Sequence, residues 1–573
     1  MFTPCRFFAS ICATFAVISS SASLFAAGAL DLIPQDAAIV VKLKSPEGTI
    51  TRVGNFANQI QPGLGFLVQG QAPALGVAIS NPTLGGVDLK NDWYIAAFPK
   101  KDGEPDVVFI VPATDPEAMK EAVGGGFTFA AKGDWVAYSM NPEAAGKSQA
   151  CIDGKSKSLT LGRRAGGLID DNDISIFVNL SQLTDAYADE LDQAEEELAR
   201  GLEQFDPADA PPGIDADALR DIVQTFGQGL LQAVRDADAV AGGITFADDA
   251  LTIDELLLVK SDSDSSKFLA GNPASDLALL GKLPQKELGY VAVHMDVEAL
   301  TRWGMGMASS LMKDNSDAKS MLDRVEKGLS DVKFGSFATG FGLNSDGSDG
   351  ILKTVAITEA TPASKVRDLI RDISKLGSSF STPGVEQEMT FEEGVETYGS
   401  DKADRVNVKQ EFSPEIDPLG ISQQMVDLFY GKEGATTRVV TRDAVMVQTT
   451  GGGQATMKEA LASLDGGGAP SGAVADAREM ALEKANMIAM IDLPNLLVEG
   501  AAAAAKTGLL PIPLPVEQLA DIKIPASYLV ISVGTEPDGL RARTALPVKM
   551  FKGFMEIQKF VQQMQQNQPP NGF

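Results

Sequence analysis

Few residues in this chain could do chemistry. His294 is its single histidine, which excludes multi-histidine metal sites and leaves no second imidazole for a proton relay. It stands near the end of an apolar strand, in a slot that Lys42, Asn179 and Asp492 fill in three sister strands. A slot that accepts a cation, an amide and an anion reads as structural rather than as the seat of a general base. The cysteines are Cys5, Cys12 and Cys151. Cys151 precedes Ile152-Asp153-Gly154-Lys155 in an expected loop, with no neighbouring base to form the thiolate that nucleophilic chemistry needs.

Ser310-Leu311-Met312-Lys313 has the spacing by which a lysine one helical turn on activates a serine, and Lys506-Thr507-Gly508 follows later. The Ser-x-Asn element that belongs between them is missing, and Ser316–Lys319 and Ser330–Lys333 repeat the spacing by chance. The acidic turn from Asn344 to Gly350 invites a calcium reading, but loop positions six and twelve hold Asp349 and Val355 instead of glycine and glutamate. Asp170-Asp171-Asn172-Asp173 and Asp262-Ser263-Asp264 read as solvated turns for the same reason. Gly304-Met305-Gly306 lies inside an expected helix, where close packing explains the glycines better than a phosphate does. The sequence therefore assigns no catalytic, cofactor-binding or metal-ligating residue, and no cofactor.

The elements around these residues repeat. Ile39–Leu43, Ile176–Leu180, Val291–Met295 and Ala489–Leu493 each open a unit that runs from a strand into a helix and then a hairpin. Strand Val107–Val111 ends at Thr114-Asp115-Pro116-Glu117, a helix start, and strand Thr354–Thr358 ends at Thr361-Pro362 before a helix over Ser364–Leu376. Hairpins follow around Lys132-Gly133-Asp134 and Thr441-Arg442-Asp443. Leu75–Ile79 is expected to pair with Trp93–Pro99. Two amphipathic helices, one over Leu183–Phe205 and one carrying Leu219, Val223, Phe226, Leu230 and Val234, form a helical hairpin about Pro207–Gly213.

These patterns predict an α+β fold of two homologous domains, each a mainly antiparallel sheet with helices packed on one face. The expected boundaries are a signal peptide over 1–29, domains over 30–270 and 283–561, a linker over 271–282 and a disordered tail over 562–573. Leu32-Ile33-Pro34-Gln35-Asp36-Ala37 leading into a strand, its echo Leu283-Pro284-Gln285-Lys286-Glu287-Leu288, and the Asp134-Trp135-Val136 and Asp443-Ala444-Val445 hairpins carry a resemblance. With them the chain resembles exported bacterial proteins of unknown function with duplicated sheet-and-helix domains. The resemblance implies an exported α+β protein and no site residues.

Arg6, the apolar run Phe7–Ile18 and Ala27-Gly28-Ala29 before Leu30 have the layout of a secretory signal, so an exported, periplasmic or extracellular protein is expected. No later segment has the roughly 18 consecutive apolar residues of a spanning helix. The Met550, Phe551, Phe554, Ile557 and Val561 stripe reads as a helix docked on the last sheet. A net charge of −29 on 573 residues repels nucleic acid. The leading expectation is a non-catalytic binding or structural role in the cell envelope or outside the cell, with an unknown protein or apolar ligand as partner. A carrier of an apolar ligand or lipid in a sheet-helix cavity and an envelope hydrolase working through acidic residues are the alternatives.

Overall fold

The computed structural model describes residues 26–100, 104–203, 216–295, 332–344, 349–377, 384–507 and 522–567, together with 325, 327 and 328. The expected signal core over 7–18, the break at Pro207–Gly213, the Ser310–Lys313 and Gly304–Gly306 spacings, the centre of the Asn344–Gly350 turn and the last six residues lie outside the described residues. No helix among the described residues is long and apolar enough to cross a membrane.

The chain divides into two compact units, one built from 1–199, 227–270 and 536–552 and the other from 200–226, 271–535 and 553–573. In the first, strands β1 (Ile39–Leu43), β2 (Trp93–Phe98), β3 (Asp106–Pro112), β4 (Thr128–Lys132), β5 (Trp135–Ser139), β6 (Ile174–Asn179), β7 (Ala237–Phe246) and β8 (Ala250–Val259) form one antiparallel sheet. Its order is β4-β5-β3-β2-β1-β6-β7-β8. Neighbouring residues of a strand point to opposite faces, and both faces are packed. Tyr94, Ile110 and Ala137 join one apolar core with Ala165 and Leu168 of the helix Arg163–Asp171. Trp93, Val111 and Val136 join a second with Phe56 of the helix Pro46–Ile60 and Met119 of the helix Pro116–Val123. Helices thus cover two faces where one was expected, because apolar residues fill both phases of β2, β3 and β5.

The second unit holds β9 (Gly289–Val293), β10 (Lys333–Leu343), β11 (Leu352–Thr361), β12 (Val385–Tyr398), β13 (Asp401–Phe412), β14 (Ala435–Arg442), β15 (Val445–Thr450), β16 (Met487–Ile491) and β17 (Leu529–Glu536). All pairs are antiparallel, in the order β12-β13-β14-β15-β11-β10-β9-β16-β17. The run β14-β15-β11-β10-β9-β16-β17 has the same chain logic as β4-β5-β3-β2-β1-β6-β7. Registers agree too: Asn179 N–H donates to Ala38 O and Asp492 N–H to Leu288 O, while Lys44 N–H donates to Asp173 O and His294 N–H to Asn486 O. By this register His294 matches Lys44, two residues beyond the Lys42 slot that sequence spacing indicates. The last strand, β18 (Gly539–Pro547), leaves the second half of the sequence and pairs along its whole length with β8 in the first unit.

Other local differences have simple causes. Leu75–Ile79 belongs mostly to a helix, Ala72–Ala78, with Pro73 in its first turn, not to a strand. The hairpin β12–β13, absent from the sequence reading, is inserted before β14. The expected linker over 271–282 contains the turn Ala278–Lys282, in which Leu279 and Leu280 are buried. The closing helix Val548–Asn567 runs beyond Val561, into the stretch expected to be a disordered tail.

Candidate functional site

The helix Arg163–Asp171 is built against its own dipole. Arg163 and Arg164 occupy its positive end, Asp170 and Asp171 its negative end, and Gly162 gives it no side-chain cap. A helix macrodipole favours the reverse placement. Ala165, Leu168 and Ile169 hold it to the sheet, and Asn172 stops it, donating from Nδ2 to Leu168 O at 2.7 Å and accepting from Thr245 at 2.8 Å. Asn172 fits because Gly243 faces it: a Cβ there would meet Asn172 at 2.3 Å.

The helix, with β7, β8 and β18, lines a cleft of about 720 Å³. Asp254 on β8 lies directly opposite Arg543 on β18. Its carboxylate, 5% exposed, accepts from Arg543 Nε at 2.9 Å and Nη2 at 3.0 Å, a bidentate pair, and from Arg541 Nη2 at 3.3 Å. Arg164 pairs with Glu536 at 3.2 Å and with Asp538. Arg541 Nη1 stands 4.0 Å from Glu536, and its Nε is buried with no hydrogen-bond partner among the described residues. Arg163 and Asp171 are exposed on the cleft wall. Threonines 245 and 252 supply the only hydroxyls among the lining side chains, which include no histidine or cysteine. With Asp254 held by two guanidinium groups, the arrangement is one of fixed charges suited to orienting a polar ligand.

A second set of buried acids lies in the second unit. Glu287, 3% exposed, pairs with Lys353 at 2.8 Å over Gly340 and Gly342, whose missing side chains make its room. Burial pushes its carboxyl up, with Lys353 opposing. The Tyr528 hydroxyl donates to Glu287 O, and the Tyr290 hydroxyl accepts from Glu287 N–H, both at 2.8 Å. Asp492, 2% exposed, accepts from Asn495 N–H at 3.3 Å, Asn495 Nδ2 at 2.7 Å and Ser527 N–H at 3.2 Å, and burial likewise raises its carboxyl. These contacts cap the helix Leu493–Thr507 and fix a turn, so each acid is committed to structure. No group of three or more His, Cys, Asp or Glu among the described residues could hold a metal ion.

Cys151 and His294 are not among the residues that line the cleft. Cys151 lies in the last turn of the helix Pro142–Ile152, not in a loop; it is buried, with Sγ 3.1 Å from Ser156 Oγ. His294 is half-buried just past β9, its Nδ1 3.1 Å from Ser336 Oγ. Asp171, read as part of a solvated turn, instead ends the cleft helix. Asp254, Arg541 and Arg543 went unnoticed, although acids inside a largely apolar strand, Asp254 and Glu255, and arginines at alternate strand positions are signals of cross-strand pairing.

No family model and no curated protein matches the chain. The solved structure of crystal form III of TP0453 aligns with 48% of this chain and 97% of its own, at 10% identity and a TM-score of 0.20, a superposition too loose to carry an argument about fold or function.

Proposed function

We propose that this is an exported, non-catalytic binding protein, made of two duplicated α+β units, whose first unit takes a small polar solute in the cleft beside the helix Arg163–Asp171. The observation that carries the reading is the cleft itself: about 720 Å³, within the range of roughly 300–1,000 Å³ typical of small-molecule sites. Its wall carries four arginines and four carboxylates. That wall favours a polar solute over the apolar cargo of a lipid carrier. A hydrolase working through acids needs two carboxyls placed to act together, and three of the four on this wall, Asp254, Glu536 and Asp538, are paired with arginines. Export rests on the residue 1–29 pattern, and duplication on the seven strands that share one order.

The test is native mass spectrometry of the full protein recovered from the exported fraction, beside a Gly167→Trp variant. Gly167 lines the cleft, and a side chain added there meets open space. A small solute retained by the wild type and lost from Gly167→Trp supports the reading. A co-purifying lipid, or a solute indifferent to the substitution, rejects it. Amino-terminal sequencing of the same material should begin within a few residues of Leu30.

A further inference from the structure

We propose that the segment from Val53 to Val87 of the first unit is a membrane-contact surface, which lays Phe66, Leu67 and Val77 into the headgroup boundary of a zwitterionic lipid bilayer without spanning it. In a chain of which 22% is charged, this segment carries no charged side chain. It includes the end of the helix Pro46–Ile60 and the short helices Leu64–Gln69 and Ala72–Ala78. Those two short helices are sorted inside out. Gly65 and Gly76 are buried, while Phe66 is 77% exposed, Leu67 64% and Val77 67%. The inward glycines are fixed in place: a Cβ on Gly65 would stand 2.4 Å from Gly54 O, and one on Gly76 would stand 2.5 Å from Asn81 O. Asn58 Oδ1 ties the first short helix down, accepting from Gly63 N–H at 3.1 Å and from Gly65 N–H at 2.9 Å. Leu75 and Ile79 anchor the second in the core. Phe66, Leu67 and Val77 therefore cannot turn inward without breaking these contacts, and the fold holds them in water.

Apolar side chains scattered singly over a surface need no partner. Here two stand side by side on one helix and a third follows on the next, and the exposed polar residues of the segment include the amides Asn55, Gln59, Gln61, Gln69 and Gln71. The absence of charge selects the occupant. A stable protein partner covers about 800 Å² and roughly 20–30 residues a side, with a polar rim, more than two helices of six and seven residues offer. A second copy brings its own net charge of −29, which repels. The same charge opposes an anionic lipid surface, and the segment has no lysine or arginine to offset it. A zwitterionic bilayer has no net charge to repel the protein. Its boundary takes apolar side chains to a depth of about 5–10 Å, and its headgroups can hydrogen-bond the amides.

The experiment is flotation of the full mature protein with vesicles of phosphatidylcholine and, separately, of phosphatidylcholine mixed equally with phosphatidylglycerol. Wild type, the double variant Phe66→Gln/Leu67→Gln and Leu419→Gln are compared. Leu419 is 75% exposed but has Glu415 and Asp417 close by in sequence, so it controls for surface apolarity in general. The wild type should float with the phosphatidylcholine vesicles and less with the anionic ones. The double substitution should cut partitioning at least tenfold with the unfolding midpoint retained, and Leu419→Gln should float as the wild type does. If the double variant fails to fold, Phe66→Gln alone, the most exposed of the three positions, decides by the same comparison. No flotation of the wild type, a preference for the anionic vesicles, flotation indifferent to the substitutions of Phe66 and Leu67, or an equal loss in Leu419→Gln overturns the proposal. So does a wild-type dimer in sedimentation that the double variant abolishes, because a second copy is then the occupant of this surface.

Discussion

At the scale of single residues, the described charges divide into those that are spent on structure and those that are not. Asp254 belongs to the first kind. Replacing it with Asn leaves Arg543 and Arg541 without their carboxylate; breaking a buried pair costs about 3–5 kcal/mol, and because both arginines are about a third exposed, a loss on the order of 2 kcal/mol is expected for Asp254→Asn, read as a fall in denaturant midpoint at unchanged slope. Asp492 gives a pH test. Its folded carboxyl is raised by burial, so the folded state holds the proton more tightly than the unfolded chain. The stabilisation from that proton is complete below the unfolded pKa and is lost as pH rises through the folded one. Asp492→Asn removes this loss, so its stability relative to wild type should improve between pH 3.5 and pH 7; a difference that is flat or declines with pH contradicts the assignment. None of this partnering was legible from local sequence. Asp254 and Arg543 are 289 residues apart, and only their register across β8 and β18 brings them together. Cys151 shows the same limit, since Asp153-Gly154 after it suggested a loop while the helix starting at Asn141-Pro142 runs through it.

At the scale of elements, patterns with strong local signals were readable. The Thr114-Asp115-Pro116-Glu117 start is realised with Asp115 accepting from Glu117 and Ala118 N–H, and the hairpins at Gly133 and Asp443 form with the expected strands. Where apolar runs were short, helix and strand could not be separated: Leu75–Ile79 carries no periodicity of its own, and the helix Ala72–Ala78 that takes up most of it opens with Pro73 in its first turn. The hairpin β12–β13 escaped because β12 alternates with glutamates and has almost no buried face to give an apolar pattern, although Gly399-Ser400 supplies the turn between the strands. The cleft helix escaped because its core reads Ala-Gly-Gly between opposite charges. That composition makes a prediction. Glycine in a helix interior costs about 0.8–1.0 kcal/mol relative to alanine, and Gly167 has open space for a Cβ, so Gly167→Ala should raise stability by up to about 1 kcal/mol. A drop in the thermal midpoint instead would mean that the helix needs glycine at this position for more than ligand access.

At the scale of the whole molecule, local apolar patterns located most strands but not the unit to which the last one belongs. Read along the chain, β17 and β18 look like the closing hairpin of the second half, as β7 and β8 close the first. In the structure β18 pairs from Gly539 to Pro547 with Leu258 to Ala250, and the residues after it, Val548 and Phe551, enter the core around Phe56 and Phe246. The first unit is therefore completed by a segment made last. A stop after Thr535 would remove β18, uncover the β8 edge, leave Asp254 without Arg541 and Arg543, and take Val548 and Phe551 from the core. An uncovered edge strand also invites association. Hydrogen exchange on the truncated protein should consequently show protection lost in β7 and β8, whereas β10, β11 and β15 of the second unit keep theirs, and the truncated chain should self-associate where the full chain does not. Equal loss of protection in both units would mean that the two fold as one cooperative body. Full protection of β8 would mean that β18 is dispensable to the sheet it joins, and that 30–270 is a self-sufficient domain as its sequence suggests.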